Sequence, residues 1–510
     1  MNTNDIKKLS TRDTTVSDTT ALETGVVLPF GYTQSYRRVL RTLGNVCLVI
    51  SLTSPLPAIM VTAFYQITYG GYFGLTWGWI IPSILYLPQT LAVAELSSSM
   101  PVNGAFYWWA AALAPPRLSR GFAFVTGWLA MSSIVTTLAS FSYAAASTFV
   151  YGITLTGVSW EPSNAQIMLI AMSVLVLWSS LMFLRLESIN VVYIIVAISY
   201  LVQLLVFTIG LPATHAAQGR AFTSSEIVFG TITNYSDWMP AVSIPMTWFC
   251  AAWVNSGWVV PAFVAEETAD SETSVPRAII RSYILTALIG VLLCVMCAYC
   301  IPDMDIIAMD QTGFPLMQLL VEHWGARITS IFILAFTPFG LVGGSAMLLT
   351  YASQIAAFAR DGGLPFEKYL SHVNERTSIP HYAVGFEIIG AAILLLFSLS
   401  PSGSEVVYSL AVLAAVITWA IPVALRLGAG DRWRPGQFNL GRWSVLVHAF
   451  TIASQIYLIV MEAFPPRAAF DASSFNYNWV LTVAVILISL GYYYFIGCHI
   501  YSFDAERVRT

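Results

Sequence analysis

Ser51-Leu52-Thr53-Ser54-Pro55-Leu56-Pro57 interrupts the first long apolar run of this 510-residue chain. Two prolines remove two backbone donors and clash with the turn before them, and three hydroxyls stand beside them. If the run crosses a bilayer, the freed backbone groups need partners inside protein or in a wet cavity, because hydrocarbon offers none. A second interruption, Trp253-Val254-Asn255-Ser256-Gly257-Trp258, lies at a similar depth in another apolar run, five runs later. Either break alone is explained equally well by helix packing. Paired breaks at corresponding places in two halves point to the binding site of an inverted-repeat transporter. The candidate substrate-binding residues are therefore Thr53, Ser54, Trp253, Asn255, Ser256, Gly257 and Trp258.

Composition supports the membrane reading. Only 10% of residues are charged, against roughly 25% in soluble domains, and 57% are apolar. A chain with so few charges cannot cover its own surface against water. About 20 mostly apolar residues span a bilayer as a helix, and that ruler yields twelve spans: 44–66, 75–98, 121–150, 165–184, 188–211, 240–265, 277–301, 327–357, 381–399, 404–426, 443–464 and 478–500. The apolar runs lack the period of two that a transmembrane barrel requires. The expected fold class is thus an all-α membrane protein of twelve transmembrane helices over residues 44–500.

Basic residues orient it. With the N-terminus cytoplasmic, 20 of the 23 Lys and Arg fall on the inner side and only Arg220, Arg327 and Arg467 fall outside, as the positive-inside rule requires. Both termini are expected in the cytoplasm. Residues 1–43 read as a disordered tail without a signal peptide, carrying Lys7 and Lys8. Residues 501–510 form a short C-terminus. A net charge of −4 gives no reason to expect a nucleic-acid partner.

Three motifs carry a resemblance. Ala94-Glu95-Leu96-Ser97, followed by Pro101, Gly104, Tyr107 and Trp109, resembles the A-E-L-x-S-x-x-P-x-x-G-G-x-Y-x-W pattern of the amino acid, polyamine and organocation transporter superfamily. Glu266-Glu267-Thr268 with Val275-Pro276-Arg277-Ala278, and Ala357-Phe358-Ala359-Arg360-Asp361-Gly362-Gly363-Leu364-Pro365, resemble its fungal amino acid and choline transporter branch, which includes GABA permease-like proteins. The resemblance implies two inverted five-helix repeats, at 44–211 and 240–426, with two extra helices at 443–500. It also implies a substrate held where spans one and six unwind. Many of its members carry G-[FY]-D-x-x-x-H before the paired glutamates. This chain has Gly257-Trp258-Val259 and Phe263, so the acid that would meet a cationic amine is missing; the faces of Trp253 and Trp258 could hold an ammonium by cation-π attraction instead.

The remaining acids and bases divide between gate and proton coupling. Glu95 reads as a tie at the cytoplasmic gate, with proton transfer as the alternative. Glu387, one to two turns inside its span, suits either a proton relay or an interhelical contact. Glu266 or Glu267 is expected to pair with Arg360 when the inner gate is shut. Cys294, Cys297 and Cys300 have C-x-x-C-x-x-C spacing but lie in an apolar helix without a fourth ligand, so they read as packing; Gly340 and Gly344 read as a close helix contact. No metal, cofactor or catalytic constellation is expected, and the protein reads as no enzyme.

These observations imply a secondary transporter working by alternating access on a small molecule: an amino acid, GABA, choline or another amine. Export of an amine-containing metabolite and a non-transporting nutrient receptor are the alternatives, the latter disfavoured by short tails. The plasma membrane is the expected location, the vacuolar membrane the other candidate. Backbone groups released at Thr53 to Pro57 and Asn255 to Gly257 are expected to face one cavity, with the free N–H donors of a half-helix N-terminus turned toward a substrate carboxylate or other acceptor.

Overall fold

The prolines set where the first span breaks. In the computed structural model, which describes residue 36 and residues 38–310, 312–470 and 475–501 (apart from the side chains of 401–407 and 409), helix α1 (Thr42–Thr53) stops at Ser54. The backbone of Ser54 is left-handed (φ 34°, ψ 68°), and α2 (Pro55–Leu85) restarts at once. Proline suits that first position because the missing N–H would have had no helical partner there. α2 bends again at Gly71 (φ 57°, ψ −128°), a conformation that glycine alone adopts without strain. The loop 231–235 runs alongside and satisfies the bend: Phe73 N–H donates to Thr231 O, and Thr233 and Tyr235 N–H donate to Gly70 O and Thr68 O. α3 (Leu87–Ser99) follows after Tyr86.

Next come a short buried helix, α4 (Ala105–Leu113), the long α5 (Ser119–Thr154), α6 (Asn164–Ser179) and α7 (Leu186–Ala217). The run at 240–264 does not make one helix. It divides into α8 (Pro240–Met246), α9 (Phe249–Asn255) and a 3-10 segment, Ser256–Val264, with Pro245 and Pro261 inside the first and last pieces. The chain continues through α10 (Ser271–Cys300), α11 (Pro315–Leu334, bent at Gly325), α12 (Thr337–Arg360), α13 (His381–Leu395), α14 (Pro401–Leu427), α15 (Ser444–Met461) and α16 (Asn478–Tyr492).

Among the described residues ten helical stretches are long and apolar enough to cross a membrane, and the shorter Thr42–Thr53 is apolar too. The count of ten, against the expected twelve, reflects the breaks: the first expected span is cut at Ser54, its second part runs on past Gly71 into the next as one stretch, Pro55–Ser99, and the sixth is in pieces. No strand forms among the described residues; one isolated parallel bridge joins Leu40 and Thr268. α5 is central, packing on α4, α6, α13 and α14. Large apolar side chains stand exposed on α7 (Val202, Ile209) and α16 (Leu487, Ile488), as a lipid-facing surface requires. The protein is an integral, multi-pass membrane protein.

Lys7 and Lys8 lie outside the described residues. The end of the expected tail is packed. Tyr36 and Leu40 are buried, and Leu40 exchanges backbone hydrogen bonds with Glu267 O and Ala269 N–H.

Candidate functional site

The break at Ser54 exposes acceptors, not donors. Leu56 N–H turns away from the helix to the Tyr200 hydroxyl (3.0 Å), and Pro57 has no N–H, so the carbonyls of Leu52 and Thr53 lose their helical partners. The first turn of α2 offers no free donor in return. Pro55 and Pro57 have none, Leu56 is taken, and Ala58 N–H bonds Ser54 O (3.2 Å). No free N–H group is left at this restart to hold a carboxylate. The partial negative charge at the C-terminus of α1 and two open carbonyls favour a cation or another donor. Side chains brace the break: Ser54 Oγ donates to Ser51 O, Ser51 Oγ to Tyr193 O, and Thr53 Oγ1 to Val49 O.

The second break packs directly on the first. A Cβ built on Gly257 would stand 2.5 Å from Thr53 Cγ2 and 2.8 Å from Leu52 Cδ2. From α12, a Cβ on Gly343 would reach 2.5 Å from Ser51 O, so small residues let three chain segments converge on the bend. Trp253 donates its Nε1–H to Ser140 Oγ (3.1 Å) and stacks on Phe141, with ring centroids 4.0 Å apart and planes at 11°.

A cavity of about 320 Å³ opens at this convergence. Ser51, Thr53 and Ser54 form its polar floor; Phe141, Trp178, Trp253, Phe336 and Phe339 supply aromatic walls, and no charged side chain lines it. Phe141 and Trp253 also border a much smaller space, about 30 Å³, that reaches Ser256, Val259, Phe263, Tyr351 and Gln354. The stacked pair thus separates the two. Asn255 and Trp258 belong elsewhere. With Ser256 they line a third small pocket, about 20 Å³, together with Tyr86 and Gln89. Of the residues singled out from sequence, the structure brings Thr53, Ser54 and Trp253 to the large cavity, sets Gly257 behind Thr53 as packing, and turns Asn255 and Trp258 to the opposite side.

Toward the start of α1 the site is sealed. Arg360 meets Glu266 with two hydrogen bonds, Nη1–H to Oε2 (3.2 Å) and Nη2–H to Oε1 (3.1 Å). Asn103 clamps both glutamates: its Oδ1 accepts from Glu266 N–H (2.8 Å), its own N–H donates to Glu266 Oε1 (3.2 Å), and its Nδ2 donates to Glu267 Oε2 (2.8 Å). Ser353 donates to Glu267 Oε1 (2.8 Å), Asn45 to Thr268 Oγ1 (3.0 Å) and Tyr107 to Asp361 (2.9 Å). Burial first, and the neighbouring Glu266 second, push the Glu267 carboxyl up to about 8, against the donors Asn103 and Ser353 that favour its charged form. Asn103 and Ser353 were not singled out from sequence. Asn103 sits inside the motif after span two, and that placement was the available signal.

Glu95 does not join this network. It accepts from Leu440 N–H (2.8 Å) and Ser444 Oγ (2.7 Å) and stands 3.7 Å from His448 Nδ1. Glu387 is fully buried on α13, and neither carboxylate oxygen has a hydrogen-bond partner. Cys294, Cys297 and Cys300 are free thiols buried on α10; Gln66 Oε1 lies 3.8 Å from Cys294 Sγ. Gly344 approaches Trp178 of α6 closely, while Gly340 has open space beside it. Among the described residues no cluster of three or more His, Cys, Asp or Glu could hold a metal ion.

Comparison with known proteins agrees with the three motifs. A family model described as amino acid permease matches residues 40–485. The GABA-specific permease of Saccharomyces cerevisiae is 28% identical over 479 residues, covering 91% of this chain and 82% of that protein. An uncharacterized amino-acid permease of Schizosaccharomyces pombe is 26% identical over 459 residues, covering 89% and 84%. Amino-acid permease 2 of Neurospora crassa is 25% identical over 481 residues, covering 92% and 87%. With the family match spanning most of its length and the broken helices meeting at an uncharged cavity, this chain belongs to the amino acid permease family, whose members are membrane transporters and not enzymes.

Proposed function

We propose that this protein is a secondary transporter of twelve spans, built as two inverted repeats of five plus two, that moves a singly charged amine or a neutral amino acid by alternating access. The observation that carries the reading is the cavity at the α1 break. At the break it meets Leu52 and Thr53, whose carbonyls have lost their helical donors, with the hydroxyls of Ser51, Thr53 and Ser54; its walls are mainly apolar, with Thr148, Ser173 and Thr337 among them, and no charged side chain lines it. An ammonium sits at the Leu52 and Thr53 carbonyls, and the uncharged body of the substrate lies along Phe141, Trp178 and Trp253. A polyamine finds no carboxylate for its further charges, and burying them unpaired is costly. A basic amino acid side chain meets the same obstacle.

The sealed end at Glu266, Glu267, Asn103 and Arg360 serves as the inner gate. The stacked Phe141 and Trp253 close the path between it and the cavity, so both barriers must open before substrate passes inward. Both termini then lie in the cytoplasm, and the plasma membrane is the expected location. The Saccharomyces cerevisiae relative is named for GABA, whose ammonium would meet the same carbonyls.

Counterflow in proteoliposomes tests the reading. Vesicles preloaded with one substrate are offered labelled neutral amino acids, GABA, choline, arginine and spermidine. Exchange is expected for members of the first three groups and not for the last two. Absence of exchange with every compound in the panel overturns the transporter reading, and exchange of spermidine alone overturns the assignment of substrate charge.

A further inference from the structure

Two imidazoles meet where α7 ends. His215, in the last turn of α7, and His323, in the first half of α11, are both buried, and His215 Nδ1 stands 2.9 Å from His323 Nε2. The ring planes differ by 19° and the centroids lie 5.2 Å apart. A nitrogen contact so much shorter than the centroid separation means that the rings meet edge to edge and nearly in one plane. That is the geometry of a hydrogen bond between ring nitrogens.

The other nitrogen of each ring is already committed. His215 Nε2 lies 3.1 Å from Ala221 O, and His323 Nδ1 lies 2.8 Å from Leu319 O. A carbonyl only accepts, so both of these nitrogens carry hydrogen. A neutral imidazole has one such hydrogen, and two neutral rings would therefore point bare lone pairs at each other across 2.9 Å. Either ring escapes that repulsion only by giving up its carbonyl. One further proton removes the conflict: with three hydrogens on four nitrogens every contact is a hydrogen bond, and a single charge is shared by the pair.

Burial opposes that charge, as does Arg220 from the loop after α7, while Glu322, beside His323, offsets Arg220 at 3.9 Å. In the chain before α11, Asp303 accepts from Asp305 N–H, Asp305 from the Tyr235 hydroxyl and Asp310 from the Thr312 hydroxyl. Arg327 is exposed beyond Gly325. α1 and α2 carry no charged residue, and α5, α7, α10 and α12 carry theirs toward the ends remote from this pair. The proton is thus held by the geometry of the two rings rather than by a neighbouring carboxylate.

What the pair fastens has a bend beside it. Gly325 (φ 76°, ψ 159°) takes a conformation that glycine adopts without strain, and no atom stands within 4 Å of where its Cβ would be. Pro315–Trp324 can therefore pivot on the rest of α11. Its ties to the end of α7 include, besides the imidazoles, Gln218 Nε2–H to His323 O (2.7 Å) and Trp324 Nε1–H to Thr214 Oγ1 (3.0 Å).

We infer that His215 and His323 form a binding site for a single proton, shared between their facing ring nitrogens, and that the bound proton clasps the first half of α11 to the end of α7. When it is lost, one imidazole releases its carbonyl and turns, and Pro315–Trp324 is free to swing about Gly325. The clasp is closed in acid and opens as pH rises. It lies apart from the large cavity and from the glutamate cluster, and it is a latch set by pH whatever the substrate and whatever drives transport.

The test is amide hydrogen exchange of Pro315–Trp324 in purified full-length protein at pH 5 and pH 8, corrected for the intrinsic pH dependence of exchange; the two conditions bracket the ordinary imidazole value of about 6.5. Wild type should exchange about fivefold faster, or more, at the higher pH. His323→Leu leaves His215 Nδ1 without a partner and should exchange at the fast rate in both conditions. His323→Gln sets an amide N–H against the bare His215 Nδ1 without a proton to lose, and should exchange at the slow rate in both. A wild type without the rise overturns the inference, as do His323→Leu and His323→Gln proteins that behave alike. Ring nitrogen-15 spectra of wild type give a reading that needs no variant: at pH 5 the pair should show three protonated nitrogens of four, and two neutral rings there also overturn the inference.

Discussion

Gly257 touches Thr53: a Cβ on the glycine would stand 2.5 Å from the threonine's Cγ2, closer than real Cβ contacts come. Thr53 is itself held, its hydroxyl bonded to Val49 O, so it cannot swing aside cheaply. The two broken helices are thereby locked in mutual contact at the floor of the cavity. Any displacement of one must be answered by the other, which is the geometric requirement for coupling substrate occupancy to helix movement.

Gly257→Val is expected to abolish substrate binding and counterflow in protein that still reaches the membrane. Gly257→Ala should weaken both by about tenfold. Thr53→Ser, which deletes the offending methyl, should restore a large part of the Gly257→Ala loss. Direct binding in detergent beside surface expression measures this, and wild-type affinity in Gly257→Val would place the site elsewhere.

Arg360→Ala leaves Glu266 buried against Asn103 without its cation. Removing one partner of a buried ion pair costs about 3–5 kcal/mol, and because Arg360 is about a quarter exposed the lower end or less applies. The sealed state should lose population, and a cysteine introduced near the pair, for example at Ala357, should react faster with a membrane-impermeant thiol reagent from the cytoplasmic side. An unchanged labelling rate would argue against a gate here.

Glu267 provides the pH dependence. Its folded value, about 8, lies above the ordinary carboxyl value of 4.5, so its contribution to the closed, folded state is fully present below about 4.5 and is lost as pH rises through 8. Glu267→Gln keeps an acceptor for Asn103 and turns an amide N–H, in place of the protonated carboxyl's O–H, toward Ser353 Oγ, without a titrating charge. The variant should melt close to wild type at pH 5 and above it at pH 8 to 9. A gap in melting temperature that does not widen with pH would contradict the assignment.

The three cysteines of α10 should be replaceable. Cys294→Ala, Cys297→Ala and Cys300→Ala together delete small buried groups and no ligand set, so transport should stay near wild type with a modest loss of thermal stability. Chelators should have no effect on either. Loss of transport that zinc restores would show a metal role that the geometry does not support.

Topology can be read at Gly219, which has open space where a side chain would be (φ 69°) and therefore accepts an inserted tag. In sealed, right-side-out vesicles external protease should cut a tag there and spare one at the N-terminus. The reverse pattern would invert the assigned orientation.

Some of this was legible in the residue string because it follows from covalent chemistry. Pro55 and Pro57 lack donors in any surroundings, so the break after Thr53 could be read directly. The long apolar runs could be read as spans because charge is excluded from lipid whatever the helix packs against. The acidic pair, Glu266 and Glu267, and Arg360 stood out as gate candidates because each belongs to a recognisable motif just past an apolar run.

Other features depend on atoms far apart in sequence. Tyr200, 144 residues from Leu56, takes the one donor in the first two residues of the restarting helix, which no local pattern signals. Asn103, 163 residues from Glu266, closes the inner network.

What the sequence determined by itself is the class of the molecule: a bundle of membrane helices, broken at two places, with a charged cluster just past the second break. Side-chain direction was left to tertiary structure. Asn255 and Trp253 are two positions apart on one short helix, yet Trp253 faces the large cavity and Asn255 the small pocket beside Tyr86 and Gln89. The contact of Gly257 with Thr53 fixes the rotation of that segment about its own axis, and rotation is set by packing, to which composition and periodicity are blind.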